Sequence, residues 1–119
     1  MEKYSKITKN FEKENKKLYR EHDGLIIRPA KSAEEIIMEG RLQHHCVGGE
    51  NYLKKHNERT TQILLLRSKQ NKPYYTVEIG KDLRIIQFYA AHDKQPNKEK
   101  IKEWLDWYVS DLKKHKVKI

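Results

Sequence analysis

The residues Ile101, Trp104, Leu105, Tyr108 and Leu112 fall at i, i+3, i+4, i+7 and i+11. That spacing puts all five on one face of an α-helix, with lysines and acids filling the rest. A stripe of this size demands an apolar surface to cover, and the preceding segment supplies one. Residues 62–67 are built around the continuous apolar run Ile63-Leu64-Leu65-Leu66, the pattern of a central strand. Residues 74–79 alternate, with Tyr75, Val77 and Ile79 on one side and Tyr74, Thr76 and Glu78 on the other. Gly80-Lys81-Asp82 closes a tight hairpin, and residues 83–90 form the last strand. Such short connections make the strands an antiparallel meander. A three-stranded sheet is not stable alone, so the stripe is expected to cover one of its faces. Pro96-Asn97 is start chemistry for that helix.

Upstream the signals are weaker. Tyr4, Ile7, Phe11 and Leu18 make one narrow apolar stripe on a helix over residues 2–21, which Asp23-Gly24 breaks. Leu25-Ile26-Ile27-Arg28 reads as a short strand ended by Pro29. Ser32 followed by Glu35 has the spacing of a capping box. The helix it starts is expected to bury Ile36, Ile37 and Met38 and to end near Gly40. Residues 50–57 form a short helix, with Tyr52 and Leu53 inward. The expected fold is α+β: a small antiparallel sheet of three to four strands packed with helices. One domain is expected over residues 1–119, with a basic N-terminal helix over 1–22 and a core over 24–112.

A chain of 119 residues can bury a core without staples. Its single cysteine excludes an intramolecular disulfide and fits a reducing cytoplasm. No apolar run reaches the roughly 18 residues of a membrane span. The N-terminus is rich in Lys and Glu and has no apolar leader segment. A cytoplasmic location without a membrane partner follows as the expectation.

The net charge is +9, and the excess sits at the two ends. Seven basic residues face three acids over residues 1–20, and eight face four over residues 94–119, so each end carries +4. A basic footprint of this kind favours a polyanion, with nucleic acid the commonest candidate. The candidate phosphate contacts are Lys9, Lys13, Lys16, Lys17, Arg20, Lys98, Lys102 and Lys113. The alternative is a solvated lysine-rich surface, since Arg is the better bidentate reader of phosphates and bases.

The one cysteine lies in Leu42-Gln43-His44-His45-Cys46-Val47-Gly48-Gly49. A thiol beside imidazoles has three fates: nucleophile, metal ligand or small buried hydrophobe. Neighbours on an extended chain point apart, so a base for Cys46 would have to come from His92 or Glu78. Metal binding lacks the paired ligand spacing of a zinc site, since Cys46, His44, His45, His56 and His92 come from unrelated segments. No metal and no cofactor is expected. The glycine pair lacks the Lys-Ser/Thr of a phosphate loop and reads as a turn with positive φ. Glu78, opposite the apolar face of its strand, reads as exposed or as a site residue. Gln87 stands among Leu83, Ile85 and Tyr89, where a buried amide needs partners. Tyr74, Phe88 and Tyr89 interleave with basic residues and are candidates to stack bases. Packing against the Trp104 helix is the competing fate.

The order of these motifs resembles the PcfJ-like family, named for a protein of a conjugative plasmid and common on plasmids and phages. The resemblance runs through Glu39-Gly40, then residues 42–48, then Tyr52. It continues through Ile63-Leu64-Leu65-Leu66-Arg67, Pro73-Tyr74-Tyr75-Thr76-Val77-Glu78 and Ile86-Gln87. It covers residues 24–110. After the Gln the family pattern has a Gly and an Asn pair, where this chain has Phe88-Tyr89-Ala90-Ala91-His92-Asp93. The resemblance carries no activity with it. It implies a cytoplasmic accessory protein of a mobile element, and the basic ends make nucleic acid the expected partner through non-specific phosphate contacts. Two other readings stand beside this one. In the first the chain is an enzyme using Cys46 and His45 with Glu78 and Gln87. In the second it is a phage-encoded inhibitor of a host defence nuclease, with a host protein as partner.

Overall fold

A computed structural model describes residues 3–43 and 49–119. The elements run α1 (Ser5–Leu18), β1 (Arg20–His22), β2 (Leu25–Pro29), α2 (Ala33–Gln43), α3 (Glu50–Asn57), β3 (Thr61–Ser68), β4 (Pro73–Gly80), β5 (Ile85–Tyr89), a 3₁₀ turn (Ala91–Asp93) and α4 (Lys98–Lys114). The fold is α+β. Among the described residues no helix is long and apolar enough to cross a membrane.

The sheet has five antiparallel strands in the order β1-β2-β3-β4-β5, not three to four. The additional strand comes from Asp23-Gly24, which does not merely end a helix. Asp23 and Gly24 take φ of 49° and 79°, the two positive values that a two-residue hairpin of type I′ requires. The chain leaves α1 at Tyr19, whose backbone is already extended. Arg20, Glu21 and His22 then pair with Ile27, Ile26 and Leu25.

The run at Ile63-Leu64-Leu65-Leu66 makes β3 the central strand, and all four residues are sealed from solvent. Leu64 and Leu66 join Ile27, Tyr75, Val77 and Ile79 under α4. Ile63 and Leu65 join Ile7, Ala30, Ala33, Ile36 and Leu53 under α1, α2 and α3. The stripe of α4 is buried as its spacing requires. Its polar atoms also fasten the first hairpin. Tyr108 Oη donates to the Leu18 carbonyl at 2.7 Å, and Trp104 Nε1 donates to the His22 carbonyl at 2.7 Å. Burial drives the Tyr108 phenol well above its ordinary pKa, so it stays a donor.

Four local expectations are corrected. In α2, Ile36 is buried, Ile37 is half-buried and Met38 is exposed. Successive helical residues lie 100° apart, so three in a row cannot share one face. The helix also continues past Gly40 to Gln43. Gly49 takes φ −66°, extended backbone that any residue can adopt, in place of the expected positive value. The capping box forms by half: Ser32 Oγ accepts the Glu35 N–H at 3.1 Å, while Glu35 accepts the Lys31 N–H and a bidentate pair from Arg28. Burial raises the Glu35 pKa, but the Arg28 and Lys31 hydrogen bonds outweigh it and leave the carboxyl below its usual range.

His56 ties α3 to the sheet. Its Nδ1 accepts the Ile63 N–H at 2.8 Å, so the ring proton sits on Nε2 and is donated to the Ala30 carbonyl at 3.2 Å. A second proton on Nδ1 would face the Ile63 N–H. Burial is the main cause that brings the His56 pKa down to about 4.

Gly24→Ala meets no atom within 4 Å but keeps φ at +79°, so only backbone strain opposes it. A loss of about 1 kcal/mol in denaturant unfolding is expected. For His56, the unfolded chain binds a proton below its ordinary pKa of 6.5, whereas the folded chain does so only near 4. Stability is therefore complete above pH 6.5 and declines as the pH falls to 4, by about 3 kcal/mol. The melting temperature of His56→Gln, followed across that window, should lose this slope while keeping any decline below pH 4.

Candidate functional site

The face of the sheet turned toward α2 and α3 buries several charged and polar side chains. Glu78 of β4 pairs in register with Ile63 on one side and Gln87 on the other. Thr76, two residues earlier, shares its face. Helix α2 places Glu39 above Thr76, and α3 brings Tyr52 to Gln87.

Two carboxylates organise this layer. Glu39 is 1% exposed and takes both Arg67 guanidinium nitrogens, at 2.6 and 3.1 Å, plus the Thr76 hydroxyl at 2.6 Å. Glu78 is 3% exposed and takes the Thr61 hydroxyl at 2.6 Å and the Gln87 amide at 2.8 Å. The same Gln87 nitrogen donates to the Tyr52 hydroxyl at 3.1 Å. Among the described residues Glu78 has only these neutral donors and no cationic partner. The carboxylate is thus fixed in place, and the partly exposed Tyr52 and Gln87 connect it with solvent.

The structure brings the candidates Glu78 and Gln87 into direct contact. The expectation of an exposed Glu78 fails because helices cover both faces of the sheet. His44, His45 and Cys46 lie outside the described residues. Helix α2 ends just before them, where Gln43 Nε2 donates to the Tyr74 carbonyl at 3.1 Å. His56 spends both ring nitrogens on backbone groups. Among the described residues, no three His, Cys, Asp or Glu side chains are grouped to hold a metal ion. Glu39, Arg67, Thr61, Thr76 and Tyr52 are members of the layer that sequence reasoning missed. One signal was available: Ile36, Glu39 and Gln43 fall at i, i+3 and i+7, which puts two polar residues on the face that Ile36 buries.

The lysine candidates occupy the opposite layer and the surface. Lys98, Lys102 and Lys113 of α4 are exposed and line a groove of about 800 Å³ between α4 and the edge strand β5. Arg84, Asp82, Asp106, Phe88 and Tyr89 also line it. Lys9, Lys13 and Lys16 are exposed on α1. Lys17 reaches the Lys118 carbonyl at 3.3 Å. Arg20 is committed to structure: its Nε donates to Asp111 at 2.7 Å, and its Nη1 reaches the Lys17 and Tyr19 carbonyls. The Arg20 hydrogen bond is the main cause that holds the Asp111 carboxyl below its ordinary range. Of the three aromatic candidates, Tyr74 contacts Tyr75 edge-on, Phe88 packs against Tyr75, and Tyr89 is exposed.

The Glu39–Arg67 pair gives a direct test of the buried layer. Arg67→Met leaves a sealed carboxylate without its cation and should cost about 3–5 kcal/mol in denaturant unfolding. Glu39→Gln combined with Arg67→Met should recover most of that loss, because the pair is then removed together.

The uncharacterized protein Lin1253/Lin1744 of Listeria innocua serovar 6a is 37% identical over 89 residues, which is 73% of this chain and 19% of that protein. The chain therefore spans about a fifth of the length of the curated relative it matches. No solved structure matches the chain. The model of the PcfJ-like protein family matches residues 1–105, which include the sealed strand, both carboxylates and the first two turns of α4, and the chain belongs to that family.

Proposed function

We propose that this chain is a cytoplasmic accessory domain of a mobile genetic element that associates with nucleic acid through its lysine-rich ends. One observation carries the reading. The C-terminal turn of basic helix α1 meets the C-terminal half of α4 and the basic residues after it. Lys17 meets the Lys118 carbonyl, Arg20 pairs with Asp111, and Tyr108 holds the Leu18 carbonyl. Lys16 of α1 and Lys113 of α4 stand exposed in the last turns of their helices. The contacts there are made by Lys17, Arg20 and Tyr108, so the ammonium groups of Lys16 and Lys113 stay in solvent. Compact, hydrated point charges suit phosphate contact without base readout. The same lysines complement the helix dipoles, which alone is worth only tenths of a kcal/mol. Membership of the PcfJ-like family supports the mobile-element setting.

The test is the salt dependence of affinity for a mixed-sequence oligonucleotide, read by fluorescence anisotropy between about 50 and 200 mM salt. A steep linear fall of log affinity with log salt is expected. Removing Lys16 and Lys113 together should lower the slope by about 2, one for each phosphate that is no longer neutralised. Affinity that stays flat over this range would sink the reading.

A further inference from the structure

The sheet face turned toward α2 and α3 is covered over β3 and β4 but not over the edge strand β5. Thr76 and Glu78 of β4 are buried there, whereas their register partners on β5 are not. Gln87, opposite Glu78, is half-buried, and Tyr89, opposite Thr76, is 36% exposed. Cross-strand partners share a face, so Gln87 and Tyr89 form a ledge on this side of the sheet. Helix α3 bounds the ledge with Tyr52, which is half-buried and meets Gln87. Lys55 lies over the Tyr52 ring, its Nζ 5.9 Å from the centroid. We infer that this corner binds an unpaired nucleobase, with Tyr52 and Gln87 on the base edge and Tyr89 against its face. The inference deepens the nucleic-acid reading above and rests on it.

Glu78 sets the direction of every hydrogen bond in the corner. A carboxylate only accepts, so Gln87 must turn its amide nitrogen toward it. The same nitrogen donates to the Tyr52 hydroxyl oxygen, so Tyr52 must aim its own proton elsewhere. Among the described residues nothing accepts that proton, and nothing donates to Gln87 Oε1. The exposed end of the chain of hydrogen bonds therefore offers one donor and one acceptor in fixed roles. Glu78 is sealed beneath it with no cationic partner among the described residues, an arrangement that an apolar residue would avoid at no desolvation cost. Its effect is to position Gln87.

These fixed roles select the ligand. Phosphates and carboxylates only accept, and ammonium and guanidinium groups only donate, so each leaves half of the pair unmet. The open edge of a nucleobase carries a donor beside an acceptor, and pairing in a duplex hides that edge. A carboxamide has the same two groups but no ring. Tyr89 favours the ring, because an exposed phenol stacks a flat heterocycle and tolerates any base. Lys55 adds a positive charge beside Tyr52, within reach of the phosphate that a nucleotide brings with its base.

The test compares two short labelled strands of equal length, using the full chain at one low salt concentration. One is mixed-sequence DNA, and the other has the same sugar-phosphate backbone without bases. Phosphate contacts are common to both, so the ratio of affinities reads the base contacts alone. The DNA is expected to bind about ten-fold more tightly. Tyr89→Ala should remove most of that ratio, and Tyr52→Phe should lower it about five-fold, as for one lost hydrogen bond. Both should leave binding of the baseless strand unchanged, and their melting curves serve as folding controls. Glu78→Leu should also lower the ratio, since Gln87 is then no longer oriented. A purely structural Glu78 would shift the melting temperature and leave the ratio as it was, which would overturn its positioning role. Removal of the excess affinity by adenosine or uridine monophosphate would support the site and show that it takes free nucleotides. Equal affinity for the two strands would overturn this inference while leaving the nucleic-acid reading standing. Absence of binding to either strand would overturn both. A neutral glutamine-rich peptide that removed the excess affinity as readily as a mononucleotide would show a carboxamide site and would also overturn it.

Discussion

Everything in this molecule depends on β3 being buried on both faces. A strand with Ile63, Leu64, Leu65 and Leu66 in succession has apolar side chains on both sides of the sheet, and neither side can be left to water. Two covering layers are therefore obligatory. The stripe of α4 meets one of them. The other is assembled from α1, α2 and α3, none of which has a stripe broad enough to cover it alone. Because α4 also receives the Leu18 and His22 carbonyls, the layer that closes the core also fixes the start of the chain.

The second layer explains how charge is distributed. Thr61, Arg67, Thr76 and Glu78 lie on the face that α2 and α3 seal, so each must find a partner inside the protein. Among the described residues, four arginines are used this way or at the margins of the core: Arg20 with Asp111, Arg28 with Glu35, Arg59 with Glu14, and Arg67 with Glu39. The planar guanidinium suits such fixed, bidentate contacts, as Arg28 and Arg67 make them. Lysine is left to the surface. The predominance of lysine outside thus has a structural origin, because these arginines are consumed within. Among the described residues Glu78 is then the exception, a sealed carboxylate held by neutral donors.

The turn after β5 makes a demand on the backbone. His92 and Asp93 both adopt left-handed backbone, with φ of 58° and 57°. Asn, Asp and His are the residues other than glycine most often found there. The sequence thus supplies side chains at this turn that tolerate the conformation. A backbone requirement accounts for polar residues at that turn.

Local patterns were legible wherever one short-range rule decided the outcome. The stripe of α4, the apolar run of β3, the alternation of β4 and the Ser32 cap all follow from periodicity or from contacts within a few residues. The Asp23-Gly24 hairpin obeyed an equally local rule and was open to the same reading. Burial of Glu78 and Glu39 followed no local rule. It depends on how many helices the sheet receives and on which face, and that is settled only when α2 and α3 pack across strands remote in sequence. The pairing of Glu78 with Gln87 was open to sequence reasoning as a hairpin neighbour, whereas Tyr52 and Arg67 were not, because helix packing sets their partners. By itself the sequence determined the strands, the main helix and the surplus of positive charge at the two ends. The tertiary structure alone decided that the last turn of α1 meets the end of α4, that Glu39 and Glu78 lie inside, and that a groove opens beside β5. Charge and periodicity are properties of neighbouring residues, whereas burial is a property of the whole packed chain.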